Sequence, residues 1–252
     1  MTLQYASDLH LEFPENKEYL HLNPIKPVGD ILILAGDIVP FAIMDQHPDF
    51  FSYVSDHFQS TYWIPGNHEY YHFDLATKTG KLHESIRSNV FLVNNTSTIH
   101  DQIELIFSTL WSRISTKHEK LLEQAMNDYR YIENDQKPFS AQQSNALNIE
   151  NVAFLQHALS KNNTPKRVVV THHVPTFKNV PVKYKGNILH EAFGVELADM
   201  IEKNGPDYWI YGHVHRNHPA FEIGKTILLT NQLGYVKKEE HKMYKTAKTI
   251  TL

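Results

Sequence analysis

Short apolar runs rich in β-branched residues recur along this 252-residue chain, and they restrict its fold more than any other feature. Each run ends at a glycine, a proline or a polar cluster, which is typical of buried strands rather than helices. The runs are residues 3–6, 31–35, 62–64, 90–93, 104–107, 168–170 and 208–211. Longer amphipathic stretches separate several of them and predict helices over 48–60, 74–87, 117–128, 140–159 and 194–205. This alternation of strands and helices predicts an α/β fold.

The last part of the chain predicts a β-hairpin, because Gly224 and Lys225 lie between two strand-like runs within residues 220–236. The sequence contains no linker-like, repeated or low-complexity segment. We therefore expect residues 1–252 to form a single domain.

Composition excludes several classes of site and partner. The chain has no cysteine, so disulfides, thiolate zinc sites and cysteine nucleophiles are ruled out. Its net charge of −4, with both signs well mixed, argues against a nucleic-acid partner, since proteins that bind nucleic acids usually present a basic face. The first residues lack a signal-peptide pattern, and no apolar run approaches the ~18 residues of a membrane span. We therefore expect a cytoplasmic protein without a membrane partner, whose oligomeric state is unknown.

Metal-ligating residue types follow five of the predicted strands directly. They are Asp8 and His10, Asp37, Asn67 with His68 and Glu69, His172 with His173, and His213 with His215. The carboxyl ends of strands lie side by side in an open α/β sheet, so these side chains are expected to converge. Any one of these motifs could be an ordinary turn, but five of them at strand ends favour a site.

The number of candidate ligands favours two metal ions. Seven residues are candidates, and one ion takes about four to six ligands. They are Asp8, His10, Asp37, Asn67, His172, His213 and His215. Glycine precedes Asp37, Asn67 and His213, which fits sharp turns where a Cβ atom would obstruct the chain. His213 and His215 are two residues apart, so an extended backbone would turn both imidazoles to the same side and let each reach a different ion.

These motifs, in this order, resemble those of the calcineurin-like metallophosphoesterase superfamily. The matching segments are "DLH" 8–10, "GD" 36–37, "GNHE" 66–69, "TH" 171–172 and "GHVH" 212–215. The resemblance implies an α/β fold in the form of a four-layer α-β-β-α sandwich. In it, two mixed sheets are flanked by helices and a dimetal site lies at the carboxyl-terminal strand ends.

The resemblance also implies the role of each residue. One ion would be held by Asp8, His10, Asp37 and His215, and the other by Asp37, Asn67, His172 and His213, with Asp37 bridging. His68 would not be a ligand, but would stabilise the transferred phosphoryl group or protonate the leaving oxygen. Asp37, Asn67 and His68 would thus form the catalytic set, while His173 is expected to support or pack. Mn²⁺ is the preferred ion, with Fe/Zn and Fe/Mn pairs as alternatives.

The implied activity is metal-dependent hydrolysis of phosphate esters by in-line attack of a metal-bridging hydroxide. A phosphodiesterase for a small substrate, for example of nucleotide type, is the leading interpretation. A nuclease on the same site and a non-catalytic scaffold on the same fold are the alternatives. The segment "GDIVPFA" lacks the Asp-Arg-Gly of the Ser/Thr protein phosphatases, which disfavours that activity. The segments "STLW" (108–111) and "MNDYR" (126–130) resemble a bacterial cytosolic group of small phosphoesterases.

Contacts to the rest of the substrate are predicted less directly. Arg113 and Arg130 follow a strand and a helix, and the segment 177–187 carries Lys183 and Lys185. A long basic loop after His172 suits a cover over an anionic substrate. The alternative is a solvated surface loop, and the sequence does not decide between them.

Overall fold

The computed structural model describes residues 1–161, 166–179 and 186–252. Its strands are β1 (Thr2–Ala6), β2 (Ile31–Leu34), β3 (Ser60–Trp63), β4 (Phe73–Asp74), β5 (Leu82–Arg87), β6 (Val90–Asn94), β7 (Thr96–His100), β8 (Ile103–Ser108), β9 (Ile132–Asn134), β10 (Lys137–Pro138), β11 (Lys166–Thr171), β12 (Tyr208–Ile210), β13 (Phe221–Ile223), β14 (Thr226–Leu229) and β15 (Thr249–Thr251). Its helices are α1 (Pro14–Leu22), α2 (Pro48–His57), α3 (Glu119–Ala125), α4 (Asp128–Tyr131), α5 (Ala141–Ser160), α6 (His190–Phe193) and α7 (Ala198–Asn204).

Two six-stranded sheets with the same plan form the centre of the fold. The first has the order β15-β1-β2-β3-β6-β5, and the second has the order β13-β14-β12-β11-β8-β7. In each sheet the four inner strands are parallel, and an antiparallel strand closes either edge. A small third sheet, β10-β9-β4, lies apart from them. Because the inner strands are parallel, their carboxyl ends meet at one edge of each sheet.

Side-chain alternation along the inner strands builds four layers. Ile33, Val168 and Val170 belong to an apolar cluster shared by the two sheets, so the sheets pack face to face. Leu34 faces the opposite way, into a cluster with α1 and α2, and Val169 packs against α5 and α7. Both faces of each sheet are therefore buried, which explains why these strands read as continuous apolar runs. Burying each such side chain stabilises the fold by about 1.5–3 kcal/mol. The predicted α-β-β-α sandwich is confirmed.

Most predicted elements are present with shifted ends. All seven predicted strands occur, residues 220–236 contain the β13–β14 hairpin, and α5 covers nearly all of 140–159. The helices predicted over 48–60, 117–128 and 194–205 are shorter, as α2, α3 and α7. Among the described residues, no helix combines the length and apolarity needed to cross a membrane.

The predicted helix over 74–87 is wrong. This stretch contains a single 3-10 turn, Leu75–Thr77, and then strand β5, which pairs antiparallel with β6. Gly80, between the 3-10 turn and β5, has a left-handed backbone with φ +71°, which is incompatible with a continuous helix. In β5 only Leu82 is fully buried, and exposure alternates along the strand with the period of two that marks an edge strand. The apolar residues of this short segment fit the period of a helix as well as that of a strand, and pairing with β6 makes it a strand.

Candidate metal centre

The predicted ligands converge where the two sheets present the ends of their parallel strands. They come from the segments that follow β1, β2 and β3 in the first sheet and β11 and β12 in the second. Six of the seven are buried, and His215 is half-buried: the set is Asp8, His10, Asp37, Asn67, His172, His213 and His215. The structure therefore brings together every residue that the sequence proposed as a ligand.

The backbone is left-handed at five of the seven ligands. φ is +55° at Asp8 and at Asp37, +49° at His10 and at His215, and +77° at His213. Non-glycine residues adopt this region rarely, and when they cluster they mark functional sites held by their surroundings. The expected extended backbone at 213–215 is therefore wrong, although His213 and His215 still reach different groups of ligands. Left-handed turns, rather than strand alternation, aim their imidazoles.

Glycine is required beside the ligands because the packing leaves no room for a side chain. A Cβ at Gly66 would lie 2.2 Å from Asp37 Oδ1, and one at Gly212 would lie 2.6 Å from Asp8 Oδ2. Neither neighbour can withdraw without leaving the cluster. The predicted reason for these glycines, obstruction by a Cβ atom, is confirmed.

The first group of ligands consists of Asp8, His10, Asp37 and His215. His10 Nε2 lies 2.9 Å from His215 Nε2 and 3.8 Å from Asp37 Oδ2, while His215 Nε2 lies 3.4 Å from Asp8 Oδ1. The Nδ1 atoms of both imidazoles face carboxylates, at 3.0 Å from Glu12 and 2.7 Å from Glu240. Each Nδ1–H therefore donates to its carboxylate, and in the neutral tautomers both Nε2 lone pairs point into the group. Two lone pairs at this distance repel each other unless a proton or a metal ion lies between them. Burial lowers the pKa of His215, but the Asp8 and Glu240 carboxylates raise it to about 10, so without metal a proton can fill this place.

The second group consists of Asp37, His172 and His213, with Asn67 beside them. His172 Nδ1 donates to the carbonyl oxygen of Ala35 at 2.9 Å, which leaves Nε2 as an acceptor in the neutral ring. That Nε2 lies 3.2 Å from Asn67 Oδ1, 3.2 Å from His213 Nδ1 and 3.3 Å from Asp37 Oδ1. Acceptor atoms thus converge a second time.

Asp37 belongs to both groups and can bridge two cations. Its Oδ2 faces His10 and its Oδ1 faces His172. Burial alone would raise the pKa of Asp37, but the neighbouring His172 and His68 hold it well below the ordinary value. For His172 burial acts in the opposite direction and lowers the pKa, yet the Asp37 carboxylate raises it to about 9. The centre therefore attracts positive charge, which a proton or a metal ion can supply.

The donor set fits two divalent ions. Imidazole nitrogens suit Zn, Fe and Mn, and carboxylate and amide oxygens suit the harder ions among them. Two dications carry +4, whereas the ligand carboxylates Asp8 and Asp37 supply only −2. The surplus positive charge would favour an anionic phosphate ester. The buried His/Asp cluster can accordingly hold two divalent metal ions.

Supporting carboxylates were missed as site residues from the sequence. Glu12 and Glu240 accept from ligand imidazoles, and Asp128 accepts from Asn67 Nδ2 at 2.8 Å, which turns the Asn67 carbonyl toward the second group. Such partners orient metal ligands and fix their tautomers. Asp128 lies in the "MNDYR" segment and Glu12 lies two residues after His10, so the sequence gives a reason to place both near the site. Glu240 lies in an ordinary charged stretch, and nothing in the sequence around it indicates a place in the site.

Glu69 has a different task and holds the two ligand loops together. Its carboxylate accepts from four donors: the backbone N–H groups of Asp37, Ile38 and Gly66 and the indole of Trp63, at 2.6–3.0 Å. It is fully buried beneath the centre. Its position in "GNHE" predicted proximity to the site, but not this structural role.

His68 lies beside both groups without joining their convergent atoms. Its backbone N–H donates to Asp37 Oδ1 at 2.9 Å, and its Nδ1 lies 2.9 Å from Glu12 Oε1. Its ring stacks on Tyr71, with centroids 4.0 Å apart. Burial works against charging this ring, but the carboxylates of Asp37 and Glu12 raise the pKa of His68 above its ordinary value. His68 also lines the cavity over the centre, so an imidazolium could face a bound phosphate there.

His173 packs beneath the centre. It is fully buried, its ring lies against His213 with centroids 4.3 Å apart, and its Nδ1 donates to the Thr109 carbonyl at 3.3 Å. Burial lowers the pKa of His173 to about 3, so the ring is neutral. This placement agrees with the expected packing role.

A cavity of about 680 Å³ opens over the centre. Its described walls include Met126, Val174, Phe177, Phe193 and Tyr211. Neither Arg113 nor Arg130 is among its lining residues, so the structure does not bring these two predicted contacts to the centre. Arg216, exposed and just after the ligand His215, lines the cavity instead. Lys183 and Lys185 lie outside the described residues.

Comparison with known proteins yields matches over most of the chain. The family described as calcineurin-like phosphoesterase matches residues 1–217. An uncharacterized protein of Acanthamoeba polyphaga mimivirus, L509, is 31% identical over 260 residues, covering 92% of this chain and 91% of its own. Among solved structures, a phosphopantetheinyl hydrolase from Mycobacterium tuberculosis superposes with a TM-score of 0.72 at 17% identity, over 99% of this chain and 95% of that one. The last likeness is one of fold.

Proposed function

This chain belongs to the calcineurin-like phosphoesterase family, and we propose that it is a dimetal phosphodiesterase for a small substrate. The observation that carries the proposal is the pair of ligand groups that share Asp37, each with convergent acceptor atoms. In the proposed assignment, one ion is held by Asp8, His10, Asp37 and His215 and the other by Asp37, Asn67, His172 and His213. We propose Mn²⁺ at both positions, with Fe/Zn or Fe/Mn pairs as alternatives. When bound, two such ions polarise phosphoryl oxygens and lower the pKa of a water molecule towards ~7.

The chain's own residues would then orient the ester and protonate the leaving oxygen. Asp37 fixes the spacing of the two halves of the site. The His68 imidazolium, held by Glu12 at Nδ1, would present Nε2–H to a non-bridging or leaving oxygen of the ester. Such proton donation typically contributes about 10²–10⁴-fold to a rate.

Charge in the cavity favours a diester over a monoester. Among the described residues that line it, Arg216 is the one permanent cation, and no lysine is present. A monoester dianion carries one more negative charge than a diester and would profit from more cationic partners. Apolar and aromatic walls next to the centre suit an uncharged or aromatic ester group, as in a nucleotide-type substrate.

A panel of esters tests the proposal. Phosphomonoesters, bis(p-nitrophenyl) phosphate, cyclic nucleotides and dinucleotides are assayed with Mn²⁺ added and with chelator. Phosphopantetheinyl esters join the panel because the structural relative from M. tuberculosis is named a phosphopantetheinyl hydrolase. We expect turnover of diesters that chelator abolishes and Mn²⁺ restores. Asp37→Asn is expected to be inactive, and the exposed Asp45→Asn is its matched control.

Each rival function predicts a different pattern in the same panel. Faster cleavage of plasmid DNA than of bis(p-nitrophenyl) phosphate would indicate a nuclease. Two bound ions without turnover of any ester would indicate a non-catalytic scaffold. Turnover of monoesters alone would overturn the diesterase assignment and keep the hydrolase.

A further inference from the structure

Tyr235 reaches the metal centre from a segment that no ligand motif includes. It follows Gly234, whose backbone has φ +69° and whose N–H donates to the Asp8 carbonyl at 3.0 Å. Asn16 bridges the segment, since its Nδ2 donates to the Gly234 carbonyl at 2.8 Å and its Oδ1 accepts from Val236 N–H at 3.1 Å. The backbone on both sides of Tyr235 is therefore held against the loop that carries Asp8.

The ring of Tyr235 packs on the imidazoles of the first ligand group. Its centroid lies 4.4 Å from that of His215, edge to face, and 4.8 Å from that of His10. The Tyr235 backbone N–H donates at 2.8 Å to Glu240 Oε2, the same oxygen that accepts from His215 Nδ1. Phe13 closes the outer side, with centroids 5.3 Å apart. A ring held by these contacts has little freedom to swing away.

The hydroxyl of Tyr235 is aimed at the reacting region. It lies 3.3 Å from His68 Nε2, and both side chains line the cavity together with Asp37 and Asn67. In the His68 imidazolium Nε2 carries a hydrogen, so at this distance the Tyr235 oxygen is at most a weak acceptor and its own O–H remains free to donate to another acceptor. A tyrosine hydroxyl can donate one hydrogen bond and accept others.

We propose that Tyr235 is a further catalytic residue, whose O–H donates to a phosphoryl or leaving oxygen of the bound ester beside His68. This inference rests on the proposed function. The two donors would approach the ester from adjacent sides: His68 is held by Glu12, and Tyr235 is held by its ring contacts with His10 and His215 and by the bonds of Asn16 to its neighbours. Preorganised donors of this kind stabilise developing charge without rearranging during the reaction.

The test compares Tyr235→Phe with wild type in the Mn²⁺-loaded 252-residue chain. Phenylalanine retains the ring contacts and removes only the hydroxyl. We expect equal manganese content by mass spectrometry, a Kd for inorganic phosphate raised at least fivefold by calorimetry, and kcat for bis(p-nitrophenyl) phosphate lowered about 10–100-fold. Tyr208→Phe is the matched control, because that half-buried tyrosine lies at the opposite end of β12 from the centre.

Two results would overturn the assignment: kcat and phosphate affinity both within twofold of wild type, or losses that match a loss of manganese. The phosphate measurement also separates this inference from the proposed function. If wild type hydrolyses no ester but Tyr235→Phe still weakens phosphate binding, the contact stands and the diesterase proposal fails. If wild type hydrolyses diesters and Tyr235→Phe changes neither kcat nor phosphate affinity, the diesterase proposal stands and the role of Tyr235 is refuted.

Discussion

Replacing Glu69 with glutamine should damage both stability and the metal centre. Each carboxylate oxygen of Glu69 accepts two hydrogen bonds: Oε2 from the N–H groups of Asp37 and Gly66, and Oε1 from those of Ile38 and the Trp63 indole. Glutamine keeps one acceptor oxygen and puts an NH₂ donor in place of the other. Two buried donors therefore lose their partner and face a further donor.

The expected magnitude follows from those two donors. A buried donor left without a partner costs about 1–3 kcal/mol, so the pair costs about 2–6 kcal/mol. Whole domains are stable by only about 5–15 kcal/mol. In a chain of this size each kcal/mol lowers Tm by about 2–4 °C, which gives a fall of roughly 5–20 °C for Glu69→Gln.

Thermal unfolding of chelator-treated protein measures this cost without a contribution from bound metal. Glu222→Gln is the matched control, since Glu222 is exposed on strand β13 and should leave Tm within about 1 °C. Manganese content after reloading is the second readout, because the Glu69 carboxylate positions the loops of Asp37 and Asn67. A Glu69→Gln variant that melts like wild type and binds two ions per chain would refute the reasoning.

Three further substitutions separate chemistry from architecture. His68→Ala should lower kcat by about 10²–10⁴-fold while leaving metal content intact; equal loss of metal would make His68 a ligand. Gly66→Ala should cost at least one ion per chain by mass spectrometry, because its Cβ would lie 2.2 Å from Asp37 Oδ1; full metal content would contradict that clash. Asp128→Ala should weaken the affinity of one of the two ions about 10–100-fold in a competition titration with a chelator, since Asn67 loses the partner that orients its amide; unchanged affinity for both ions would disprove this role.

The sequence predicted the ligands well because their signal is local. A predicted strand followed by Asp-X-His or His-X-His indicates both where the strand ends and that metal ligands lie at that end. Parallel pairing of β1, β2 and β3 then brings these ends together. The same locality explains the error over 74–87. Leu82–Arg87 has no long periodic pattern of its own, and its pairing with β6 is a tertiary event.

Residues that approach the centre from elsewhere could not be predicted in this way. Glu240 and Tyr235 come from the chain after the hairpin, and their proximity to His215 depends on how that segment pairs with the residues that follow β1. The absence of Arg113 and Arg130 from the described lining of the cavity has a related reason. Arg113 and Arg130 were chosen for charge and position after an element, but the cavity is lined by Arg216, whose neighbour His215 had already been recognised as a ligand.

The carboxylates that escaped prediction are also what makes the predicted histidines suitable as ligands. An imidazole can present Nε2 to a cation in a fixed direction only if Nδ1–H is engaged, and Glu12 and Glu240 engage it for His10 and His215. Asp128 does the same for the amide of Asn67. Without these acceptors the same ligands could rotate, change tautomer or, for the amide, present a donor to the ion. Five short sequence motifs therefore determine which residues are the ligands, whereas carboxylates that tertiary structure brings near them determine how the ligands are oriented. The centre needs both to hold two ions.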